Sequence, residues 1–112
     1  METSPQKRDF DILKSLARPP KSVITTFHAG FVLLGHPSNQ AKKWDYAQKQ
    51  MANFDRFINE LKNFQAEKCT KEVANEAKEL IADYDKQSVL NACAAATWMF
   101  DWVQNTVQQI QG

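Results

Sequence analysis

The sequence predicts an all-α fold, a small helical bundle with the clipped base of an antiparallel coiled coil formed by its two ends. Two observations carry this. Apolar residues recur at three- and four-residue steps through nearly every segment from Phe10 to Ile110, the period of amphipathic helices. Three glycines and four prolines in 112 residues are too few for a turn-rich sandwich of short strands. With 43% hydrophobic and 24% charged residues the chain reads as one globular domain, and at this length folding buries roughly 65% of its surface.

The elements follow in order. Residues 10–16 carry Ile12, Leu13 and Leu16 on one side of a short helix. Pro19-Pro20 stops it, because proline lacks the N–H and biases Arg18 out of helical geometry. The same pair suits the opening of a second helix, whose stripe of Val23, Phe27, Phe31 and Leu34 ends at Gly35-His36-Pro37. Trp44, Ala47 and Met51 mark a third helix after a polar linker. Phe54, Phe57, Ile58, Leu61 and Phe64 mark another, set off by a bend near Asn53. Thr70 is placed to cap a further helix that would bury Val73, Ala77, Leu80 and Ile81. Last, Val89, Cys93, Ala96, Phe100, Val103, Val107 and Ile110 alternate steps of four and three without interruption, the 3.5-residue repeat of a coiled-coil seam. The stripe at residues 12–16 is its natural partner, so the two ends are expected to lie side by side, clipped from something longer.

Composition excludes several functions. Residues 1–8 are polar and do not read as a secretory signal. The most apolar stretch, 27–35, contains His28 and is too short for a bilayer, so no membrane partner is expected. Two cysteines make no disulfide framework, and a reducing cytoplasmic compartment is the default. The net charge is only +1, well short of a domain that neutralises many phosphates, so nucleic acid is not the expected partner. That small total conceals a basic first half, residues 1–62, and an acidic remainder. Such polarity suits an acidic partner, or ordinary solvated surface.

Catalytic and metal motifs are not found. His28 and His36 are separated by a helix end and lack the four convergent groups of a zinc site. Cys69 and Cys93 have no Cys-x-x-Cys spacing, and Cys93 falls on the seam, where it reads as a small hydrophobe. Glu72, Glu76 and Glu79 share a face with Lys71 and Lys78 interleaved, a solvated surface. Trp98 and Trp102, one turn apart, read as core. No cofactor, metal or catalytic residue is assigned, and the chain reads as a binding module.

The run Ile12-Leu13-Lys14-Ser15-Leu16-Ala17-Arg18-Pro19-Pro20, followed by Val23 and Val32-Leu33-Leu34-Gly35, carries a resemblance. It continues through Trp44, Phe57-Ile58-Asn59-Glu60-Leu61-Lys62-Asn63-Phe64, Asn91-Ala92-Cys93 and Trp102-Val103. Over about residues 9–112 the sequence resembles the microtubule-binding domain at the stalk tip of dynein heavy chains. The resemblance implies a six-helix tip on an antiparallel coiled coil, with one short helix lying between Asp83 and Ser88. Residues 1–8 would be a disordered or added tail, 9–18 the end of the outgoing stalk helix, 19–100 the bundle, and 101–112 the start of the returning helix. ATP hydrolysis would belong to the parent motor and not to this segment.

The same resemblance implies a microtubule, and so α/β-tubulin, as partner. Segments 21–28, 55–62 and 86–91 would face the groove between tubulin subunits. Lys21, Arg56 and Lys86 would meet its acidic surface, Thr25, His28 and Asn91 would supply polar contacts, and Lys42, Lys43 and Lys49 would add diffuse attraction. The sequence departs from the family at Ile24 and Asn91, where basic residues are common, and at Asp101, where Lys or Arg is frequent. A diverged axonemal isoform of cilium or flagellum fits these departures, with a leucine-rich-repeat light chain as a second partner at the tip. The competing reading is a helical adaptor that docks a protein partner with weak or no microtubule contact.

Overall fold

Proline and glycine set the first boundaries. In the computed structural model, which describes residues 7–111, α1 (Lys7–Ser15) ends ahead of Pro19-Pro20, and α2 (Lys21–Leu33) begins directly after them. Gly35 ends α2 at φ 93°. The His36 N–H donates to the Phe31 carbonyl at 2.9 Å and the Gly35 N–H to the Val32 carbonyl at 3.1 Å. This paired closure needs a left-handed residue, which glycine supplies without steric penalty.

Short helices then turn around α2: α3 (Ser38–Ala41), α4 (Trp44–Met51) and α5 (Phe54–Lys62). The Asn53 side chain caps α5 by accepting the Arg56 N–H at 3.0 Å. After a 3₁₀ turn at Ala66–Lys68 comes α6 (Lys71–Leu80), capped by Thr70 as the sequence indicates, through the Val73 N–H at 3.2 Å. The chain finishes with α7 (Lys86–Ala92), a 3₁₀ turn at Ala94–Ala96, and α8 (Thr97–Gln111). The all-α expectation holds, with eight α-helices among the described residues.

The core is built on α2, which packs against α6 and α8 along its length and also touches α3, α4 and α7. Around it Phe10, Phe27, Phe31, Phe57 and Trp98 are buried together. Their rings meet edge-on or tilted at 5.4–6.5 Å, and such pairs add about 0.5–1.5 kcal/mol each beyond area burial. Gly30 lets α8 approach closely: a Cβ there would stand 2.7 Å from Met99 Sδ.

Three expectations are corrected. The C-terminal seam is not one helix. Cys93 is extended at φ −164°, ψ 107°, and the helix expected between 83 and 88 instead runs from Lys86 to Ala92, taking the first part of that seam. The chain ends do not pair along their length. α1 packs on the 94–96 turn and on α4, and reaches α8 at its first turn through Phe10 and Trp98, 5.4 Å apart. The reason lies in its C-terminal carbonyls, which α4 claims: Trp44 Nε1 donates to Leu16 O at 2.8 Å, and Gln48 Nε2 to Leu16 O and Lys14 O at 2.9 and 3.0 Å. Finally, α1 buries Phe10 and Leu13 and leaves Ile12 46% exposed. Of the expected tail, Lys7 and Arg8 already belong to α1, and residues 1–6 lie outside the described residues.

Candidate functional site

Nine of the thirteen α2 residues are buried, so this helix has only a narrow outward strip. Lys21, Thr25 and His28 occupy it at steps of four and three, Lys21 exposed and the other two half-buried. Three of the expected contact residues therefore share one line. His28 Nε2 hydrogen-bonds the Ser38 hydroxyl at 2.9 Å. Burial holds its imidazole below the ordinary histidine value of 6.5, with Glu76 of α6 pulling upward and Lys42 pushing down. At neutral pH His28 is therefore an uncharged hydrogen-bonding group, and the positive charge of this strip comes from Lys21 and neighbouring Lys42.

A second surface lies on α7. The Asp85 carboxylate accepts the Ser88 N–H at 2.8 Å while Ser88 Oγ receives the Asp85 N–H at 3.0 Å, a capping box that fixes the start of the helix. Val89 points inward and is fully buried. Lys86, Gln87, Leu90 and Asn91 are all exposed, which is the opposite face. Its polar groups are already engaged: Lys86 Nζ sits 3.0 Å from Asp101 Oδ2 of α8, and Gln87 Nε2 donates to Asn91 Oδ1 at 2.9 Å. Leu90, 43% exposed, stands between them.

The third segment, α5, presents Arg56, exposed and reaching Gln50 Oε1 of α4 at 3.3 Å. Its inner residue Phe57 stacks into the aromatic core. Behind it, His36 ties three elements: Nδ1 meets the Tyr46 hydroxyl at 2.6 Å and Nε2 meets Glu60 Oε2 at 2.6 Å. Those two contacts fix α5 against the end of α2 and against α4. Lys42, Lys43 and Lys49 are also exposed.

The structure thus joins Lys21, Thr25 and His28 on α2, joins Lys86 and Asn91 on α7, and carries Arg56 separately on α5. Sequence reasoning missed the partners. Asp101 stands out in the sequence as a departure, yet only the fold shows it holding Lys86 from fifteen positions away. No local signal announces Glu60 beside His36, 24 residues distant. Among the described residues no group of three or more His, Cys, Asp or Glu side chains is arranged to hold a metal ion, and no helix is long and apolar enough to cross a membrane.

Comparison with known proteins bears on the chain as a whole. A family model described as the microtubule-binding stalk of dynein motor matches residues 2–111. The dynein-1-beta heavy chain of the flagellar inner arm I1 complex of Chlamydomonas reinhardtii is 30% identical over 99 residues, covering 87% of this chain. The dynein alpha chain of the flagellar outer arm from the same organism is 27% identical over 108 residues, covering 91%. The chain spans about 2% of the length of each of these relatives. No solved structure matches it.

Proposed function

The chain belongs to the microtubule-binding stalk family of dynein motors, and from that premise we propose that the strip on α2, Arg56 on α5 and the outer face of α7 form its contact with tubulin. The observation that carries this reading is the family match across residues 2–111. The physical logic is charge complementarity. Exposed Lys21 and Arg56, aided by the exposed Lys42, Lys43 and Lys49, steer encounter with an acidic lattice and set register, while Thr25 and His28 supply uncharged hydrogen bonds. Lys86 contributes less than its exposure suggests, because Asp101 competes for it at 3.0 Å.

The flagellar relatives support placement in an axonemal motor, where this tip would attach a heavy chain to the microtubule. ATP hydrolysis in that motor would lie outside the chain described. A leucine-rich-repeat light chain is a further proposed partner. Co-sedimentation with microtubules over a salt series tests the main reading. Binding that weakens steadily as salt rises supports an electrostatic contact. Absence of binding at every salt concentration would reject it in favour of an adaptor role.

A further inference from the structure

The break before α8 has no covalent cause. From Lys86 to Gln111 the sequence contains neither glycine nor proline, and Ala94-Ala95-Ala96 is built from the strongest helix former. Val89, Cys93, Ala96, Phe100 and Val103 keep one heptad stripe straight across it. Yet Cys93 is extended and the three alanines wind a 3₁₀ turn. Just after the break Thr97 Oγ1 is buried without a hydrogen-bond partner, although buried polar groups ordinarily have one. A continuous helix would offer Thr97 the carbonyl of Cys93 one turn back. Thr26 makes that kind of bond to Ser22 O at 2.6 Å in α2.

What holds the chain bent is tertiary. Val89 is fully buried, and Lys86 pairs with Asp101 across the bend at 3.0 Å. The ion pair is the decisive geometry. Were α7 and α8 one straight helix, residues 86 and 101 would lie about 22 Å apart along its axis, beyond the reach of the two side chains.

We infer that residues 93–96 are a two-state joint: bent and latched by Lys86–Asp101, or straight, with α7 and α8 running as one helix and Lys86 released. Straightening exchanges the Val89 site and the ion pair for helical hydrogen bonds through 93–97 and a partner for Thr97. In the straight state the Lys86 ammonium is available to an acidic surface; that consequence rests on the microtubule reading above.

Carbon-13 Cα shifts and relaxation dispersion at residues 93–96, recorded on the whole chain, test the joint directly. Lys86→Gln removes the latch from a side chain that is 59% exposed, so the fold is retained, and Asp101→Asn removes it from the other partner. Both should raise the straight population about two- to fivefold, the range for one ion pair at a protein surface. Ala95→Gly should lower it about four- to fivefold, the helix penalty of glycine relative to alanine. Shifts at 93–96 that are identical in wild type and Lys86→Gln, with no exchange in either, would overturn the joint whatever the microtubule affinity. If Asp101→Asn, which keeps the Lys86 ammonium, moves the shifts but leaves co-sedimentation unchanged, the joint stands and its link to tubulin falls.

Discussion

Two interruptions frame the bundle, and they differ in origin. The one entering α2 is made by Pro19-Pro20, which lack backbone N–H groups and force the preceding residue out of helical geometry wherever they are placed. The one entering α8 is made by Cys93 and three alanines, residues that would continue a helix if left alone. The first is written into the covalent chain and is permanent. The second exists only while Val89 is buried and Lys86 is paired, so it is conditional on packing and yields when packing changes.

The largest expected effect comes from removing a core side chain that packs beside the conditional break. Phe10 is fully buried and its ring meets Phe57 and Trp98 at 5.4 Å, so it fastens α1 to the first turn of α8. Phe10→Ala should lower unfolding free energy by about 3–5 kcal/mol, read from urea denaturation. Val89→Ala acts on the conditional break alone. It should lower global stability by about 1.5–2 kcal/mol and speed amide exchange in α7 more than in α2.

Charge changes sharpen the comparison at the surface. Lys21→Glu, beside the permanent break, should weaken microtubule binding about tenfold with native circular dichroism. Asn91→Arg, beside the conditional one, should tighten it up to about fivefold at low salt, with the gain fading as salt rises. The gain is the smaller because the substitution also removes the Asn91 Oδ1 acceptor of the Gln87 amide.

The smallest effect concerns acid. Hydrogen bonds from the Ser88 backbone and then its hydroxyl hold the Asp85 carboxyl below its ordinary value of 3.8. A carboxylate with a depressed folded value stabilises the fold above 3.8 and loses that contribution as pH falls through the lowered value. Amide protection in α7 should therefore decline in strong acid ahead of that in α2. Asp85→Asn should retain the cap and remove this acid dependence.

The same contrast explains how much was legible in the sequence. Pro19-Pro20, Gly35-His36-Pro37 and Thr70 marked their boundaries correctly, because each acts through its own backbone or side chain on adjacent residues. The stripe through Val23, Phe27 and Phe31 found the central helix for the same reason. The bend at Cys93 was not legible, since nothing local opposes a helix there. The attachment of α1 to α4 was hidden too, because it depends on Trp44 and Gln48 reaching carbonyls roughly thirty residues away. At the candidate site, Lys21, Thr25 and His28 could be placed on one line from helical spacing alone. The engagement of Lys86 by Asp101 could not, because it crosses an unforeseen bend.

The hydrogen bonds that α4 makes to the end of α1 also define a mechanical route. Trp44 and Gln48 grip the carbonyls of Lys14 and Leu16 before the chain turns at Pro19-Pro20. Tension applied at the start of α1 therefore enters the bundle sideways, shared among several N–H···O bonds onto α4, and bypasses residues 17–20 leading to α2. The strip bearing Lys21 is sheltered from that pull until the grip of Trp44 and Gln48 gives way.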